Sequence, residues 1–275
     1  MPQVINTNVA ALNAQRHLNQ TNNGLSTALE RLSSGYRINS AKDDAAGQAI
    51  AERFTSQIRG FNQGIRNAGD AISLTQTAES VLNEIINNVQ RMRELAIQSS
   101  NGTNSATDRL SLNQEVTDLA SEIARIVGTE FNGVQVVGGG AGANTFQVGA
   151  DAGDNITITT IDTTGLSAYA SLVTNGNVST AGSASTLVAA SDVFLAAVNS
   201  ERGKLGAAQN RFEAVIRNSQ SIAENLSASR SRIQDADFAA ETAEMTRLQI
   251  LQQAGISILG QANAAPQQVL SLLQG

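Results

Sequence analysis

Apolar residues recur at seven-residue intervals at both ends of this chain, and a repeat of that kind cannot be satisfied by one helix alone. Near the start, Val4, Ala11, Leu18, Leu25 and Leu32 are spaced by seven, with Ala14, Ala28 and Leu29 beside them. So narrow a stripe is a coiled-coil seam, apolar only where another helix must lie against it. Near the end, Leu248, Leu251, Ile258, Ala262, Ala265, Val269 and Leu272 write a second seam. The two ends are therefore expected to be helices that pair with each other and with further copies. Alone they bury too little apolar surface to offset the entropy of ordering them, so assembly is expected to be coupled to folding.

Between the seams, punctuation marks the elements. Ser33-Ser34-Gly35 ends the first helix, because glycine adopts the left-handed conformation that closes one. A turn over 35–40 follows, and Ser40 with Asp43 reads as a variant capping box for a second helix from about Ala41. That helix carries Ile50, Phe54, Ile58 and Phe61, is expected to be interrupted at Gly60 or Gly64, and resumes with Leu74, Ala78, Val81, Ile85, Met92 and Leu95. Asn101-Gly102 stops it, and Leu112, Val116, Leu119, Ile123 and Ile126 predict a third helix ending at Gly128.

The middle, about 131–200, has a different character: it lacks Lys and Arg and holds ten of the 23 glycines. Alternating runs at 134–137, 145–148 and 156–161 predict small β-hairpins. Helical periodicity returns with Phe212, Val215, Ile222, Leu226 and Ile233. The expected fold is mainly α: long terminal helices forming coiled-coil bundles, with a small β-hairpin region in the middle. Residues 1–42 and 236–275 form an inner domain and 43–235 an outer one.

Several function classes have no support in these residues. Net charge is -6 with no basic run, so nucleic acid has no electrostatic footprint. No stretch approaches 18 apolar residues, so no membrane insertion is expected, and the first twelve residues lack the pattern of a cleaved signal. Cysteine is absent, which excludes disulfides and thiolate chemistry. His17 is the single histidine, so no histidine-based metal site can form. Asp43 and Asp44 are adjacent and diverge, a poor acid/base pair better read as helix-start residues. Gly138 to Gly142 lacks phosphate-loop spacing, and Asp151, Asp154 and Asp162 are too loosely spaced for a calcium loop. No catalytic residue, cofactor or metal is expected.

The run from Leu32 to Ala51, LSSGYRINSAKDDAAGQAIA, closely resembles the N-terminal signature of bacterial flagellins. Ser231 to Phe238, Gln249 to Gly255 and Gln261 to Leu273 resemble the C-terminal signature, and Ile5 to Val9 adds the opening. The resemblance covers most of 1–130 and 205–275. It departs at Tyr36, where many flagellins have an aliphatic residue, and in ending Leu272-Leu273-Gln274-Gly275 rather than on a cation. It implies a structural subunit that polymerises into the flagellar filament for motility, in a short form with reduced central domains; a hook-filament junction protein is the alternative. It further implies extracellular location after export by the flagellar type III route, and partners that include the export chaperone, the filament cap and the hook-junction proteins.

Residue roles follow from the same resemblance. The polymerisation seam is expected at Leu18, Leu25, Leu32, Leu251, Ile258 and Leu272. Arg91, Leu95, Gln98 and Glu115 match the patch that vertebrate Toll-like receptors recognise on flagellins, although periodicity alone puts Leu95 in the core. Val269, Leu270, Leu272 and Leu273 match the C-terminal residues that export chaperones and cytosolic immune sensors bind. The Ser/Thr-rich stretch from Thr157 to Thr186 is where flagellins are often O-glycosylated, with an unmodified polar surface as the plainer reading.

Overall fold

The structure, a computed structural model, describes residues 7–274, and their side chains as far as residue 264. The chain forms two compact units, one of residues 1–56 with 225–275 and one of residues 57–224.

In the first unit, α1 (Val9–Ser34) and α6 (Phe238–Gln274) lie antiparallel. The Asn8 side chain caps α1 by accepting from the Ala11 N–H and donates to the Ala262 carbonyl at 2.8 Å. Gln252 donates to Asn22, and Arg31 pairs with Glu241 at 3.5 Å. The helices approach closely because glycine stands at two crossings: a Cβ on Gly24 would lie 3.3 Å from Leu248, and one on Gly255 3.3 Å from Leu18. Gly35 ends α1 at a φ of 75°. Beyond it the chain pairs with the α5–α6 link: Arg37 N–H donates to Gln234 O at 2.7 Å and Ala236 N–H to Gly35 O at 2.9 Å.

The helix expected from Ala41 begins four residues later, as α2 (Ala45–Ser100). Asp43 accepts from the N–H groups of Asn39 and Ser40 and from the Ser40 hydroxyl, which folds 39–43 into a turn. Asp44 does the capping, accepting from the Gly47 N–H at 2.8 Å.

The second unit packs α2 from residue 57 against α3 (Ala106–Val127) and the first part of α5 (Ala181–Gln234). Arg91–Glu115 and Arg93–Asp192 ion pairs fix α3 and α5 antiparallel to α2. Leu82, Ile85, Val89, Met92, Val116, Ile123, Phe194, Leu205 and Phe212 fill one core. Contrary to expectation, α2 is not interrupted at Gly60 or Gly64. These glycines instead admit the hairpin loop: a Cβ on Gly60 would lie 2.8 Å from Ala150, and one on Gly64 would collide with the Val148 carbonyl.

Two antiparallel hairpins cover this side. β1 (Glu130–Phe131) pairs with β2 (Val134–Gln135), and β3 (Ala143–Gln147) with β4 (Asn155–Thr159). Asn132 and Gly133 have φ of 51° and 78°, as a two-residue turn of the primed type requires. A short turn, α4 (Ser167–Tyr169), continues as a π-helical segment over Ala170–Thr174. Helix α5 then starts at Ala181, well before the Phe212 at which the seam pattern resumes. Its first half is built of Ala, Ser and Gly around Leu187, Phe194 and Val198, all buried. One 18-residue window of α5 reaches a mean hydropathy of 1.5, enough by composition to cross a membrane. These three residues are committed to the core instead.

Candidate functional site

The first unit leaves apolar surface that its own two helices cannot cover. Only Ala28 on α1 and Leu248 on α6 are buried at the pair's contact. Leu18, Leu25 and Leu32 are half-buried along one flank of α1, and Leu29 beside them is exposed. On α6, Leu251 is 44% exposed and Ile258 57%. Seam residue Leu272 lies on α6, but its side chain is outside those described.

Sequence reasoning missed three residues of this surface. Phe238, Ile250 and Ile256 are also exposed. At 100° per residue they point to different sides of α6, so the helix is apolar nearly all round. A helix of that kind is normally surrounded. A heptad search does not find them, because it keeps only one stripe; a count of apolar residues by direction would have done so.

The electrostatics suit lateral packing. The first unit holds eight basic and eight acidic side chains, and the whole net charge of -6 resides in residues 57–224. Copies packed through the first unit therefore meet with no net repulsion. The lining of the open groove between α1 and α6 includes His17, Leu18, Leu251 and Ile258 and no acidic or strongly basic side chain.

In the second unit, Arg91, Gln98 and Glu115 are together on the α2–α3 face. Arg91 Nε donates to Glu115 at 2.8 Å and its other nitrogen to Glu94 at 3.2 Å. These carboxylates push the Arg91 guanidinium up, the Glu115 hydrogen bond most. Leu95 is 1% exposed and belongs to the core beneath the patch, not to its surface. The side chains of Val269, Leu270, Leu272 and Leu273 fall outside the described residues.

The remaining polar candidates have structural roles. Asp162 accepts from the Thr164 hydroxyl and from the N–H groups of Thr164 and Gly165, which hold its carboxyl below the usual range. Asp154 accepts from the Asp151 N–H within the β3–β4 loop. Gly138, at a φ of 116°, belongs to a turn and donates its N–H to Ile161 O.

Comparison with known proteins bears on the whole chain. Residues 5–141 match the family model described as the bacterial flagellin N-terminal helical region, and residues 188–273 match the bacterial flagellin C-terminal helical region. A flagellin of Halalkalibacterium halodurans is 44% identical over 274 residues, covering 98% of this chain and 100% of the relative. Flagellin B of Vibrio anguillarum is 36% identical over 371 aligned positions, covering 98% and 99%. Among solved structures, Bacillus cereus flagellin matches at 35% identity with a TM-score of 0.50, covering 60% of this chain and 94% of that one.

Proposed function

The chain belongs to the bacterial flagellin family, whose members are structural subunits polymerising into the flagellar filament, and from that premise we propose which of its residues carry assembly and which meet other partners. Its length is that of the Halalkalibacterium relative, whereas alignment with the Vibrio protein needs 371 positions, so this is a short form.

Residues 1–42 and 236–275 make the filament core and 43–235 the outer domain. Leu18, Leu25, Leu32, Leu251, Ile258 and Leu272 form the seam between copies. What supports this most is the exposure of Leu251 and Ile258 on a helix whose partner α1 already occupies its buried side. The subunit acts by being built into a polymer, not by catalysis. It leaves the cell by the flagellar type III route, and meets the export chaperone, the cap and the hook-junction proteins on the way. The C-terminal residues Val269, Leu270, Leu272 and Leu273 are the segment offered to the chaperone, as an amphipathic helix in a groove. Arg91, Gln98 and Glu115 offer a vertebrate Toll-like receptor a charged surface, with Leu95 supporting it from below.

The experiment is seeded polymerisation. Ile258→Asp places a carboxylate in the seam and is expected to abolish pelleting after filament seeds are added, while the circular dichroism and melting of the outer domain stay as in the parent. Pelleting of this variant at the parental concentration would remove Ile258 from the seam.

A further inference from the structure

Resting on the filament reading, we propose that the groove between α1 and α6 is a hole that receives Ile256 of a second copy of this chain. The groove has a volume of ≈ 350 Å³ and is walled by Ala14 and Leu18 on α1 and by Leu251, Ala254, Gly255 and Ile258 on α6. Small residues at 14, 254 and 255 leave the space open, while the leucines and the isoleucine give it an aliphatic wall. With no acidic or strongly basic side chain in the lining, the fitting occupant is an aliphatic side chain. Four-residue holes of this kind accept single knobs between packed helices.

The knob is identified by direction. Ile256 is 57% exposed and sits within one turn of the hole on the same helix. At 100° per residue it points about 150° away from the mean direction of Leu251, Ala254, Gly255 and Ile258. Ile250 is also exposed, but it precedes Ala254 by one turn and adjoins the rim of the hole itself. Ile256 is thus the large aliphatic residue of this stretch that faces away from the hole at the same height.

A knob on one flank and a hole on the other cannot both be satisfied in a closed pair. Each copy uses its knob on one neighbour and its hole on the next, so the contact is heterologous and propagates. The groove and Ile256 together give growth a polarity at the level of single side chains.

The test uses the absence of cysteine from the chain, which lets introduced thiols report without background. Ile256→Cys and Ala254→Cys are assembled separately and as an equimolar mixture, then oxidised with diamide. The expected result is a disulfide-linked dimer from the mixture only, because each variant alone lacks one half of the contact. Dimers from either variant alone, or mixed filaments without dimers, would overturn the hole. A second measurement does not depend on cross-linking: Ile256→Asp is expected to raise the concentration needed for elongation by about tenfold or more, and Ile256→Leu to leave it near the parent's. Equal elongation by parent and Ile256→Asp also overturns the proposal. Parental chain that fails to elongate from seeds would instead sink the filament reading, so the two failures are told apart.

Discussion

Gly64 and Gly69 stand five residues apart on α2 and should respond to alanine with opposite signs. At Gly69 a Cβ meets nothing within 4 Å. Gly69→Ala is therefore expected to stabilise the second unit by about 0.5–1 kcal/mol, the helix preference of alanine over glycine. At Gly64 the same methyl would land on the Val148 carbonyl, and overpacking of that kind costs about 1–3 kcal/mol. Urea midpoints of the two variants, shifting in opposite directions, check the pair. Sequence reasoning places both Gly60 and Gly64 at a break in the helix, because propensity is local. What keeps them glycine is a loop some 85 residues away, and no periodicity reports that. Residue-scale chemistry also sets a pH dependence. The Ser105 hydroxyl and N–H hold Asp108 below the usual carboxylate range, and the N–H groups of Ser40 and Asn39 do the same for Asp43. A depressed folded value means stability that is present above the unfolded value and lost as pH falls through the folded one. Asp108→Asn should thus melt below the parent at neutral pH, with the gap closing under acid conditions, as thermal melts across that range would show.

At the scale of elements, the helix stops were legible because their chemistry is local. Gly35 ends α1, α2 ends at Ser100 before Asn101-Gly102, and α3 ends at Val127 before Gly128. The hairpins were legible too, since β3 and β4 alternate and Ile156 and Ile158 point inward. The start of α5 was not. Its first half uses Ala and Ser where a heptad reader looks for Leu, and its three large buried residues are spaced by seven and four rather than in a continued seam. The candidate receptor patch divides along the same line between surface and core. Leu95→Ala removes a side chain packed in the core and is expected to destabilise the second unit by about 2–5 kcal/mol. Gln98→Ala, on the exposed face, should leave the melting temperature within a degree or two of the parent's, or about 0.5 kcal/mol. Calorimetry on the pair separates loss of surface from loss of fold, which a receptor assay alone would conflate.

For the molecule as a whole, the expectation is that removal of residues 1–42 and 236–275 abolishes sedimentation with filament seeds while the remaining chain keeps its helical circular dichroism. Truncated chain that pellets with seeds would move the seam elsewhere. Much of the assembly surface was readable in the two seven-residue repeats, but its breadth was not, because Phe238, Ile250 and Ile256 lie off the stripe and gain meaning only once α1 is seen on the opposite side. The pairing of Asn8 with the Ala262 carbonyl carries one more consequence, and it concerns time. These partners are separated by 254 positions, and Gly35 and Ala236 by nearly as many. A chain made from its first residue onward must hold α1 without its mate until almost the last residue has been added. Closure of such distant contacts is slow and comes late. The arrangement keeps the opening segment linear for most of the chain's synthesis, and it makes the final forty residues the event that decides when the core of this subunit can exist.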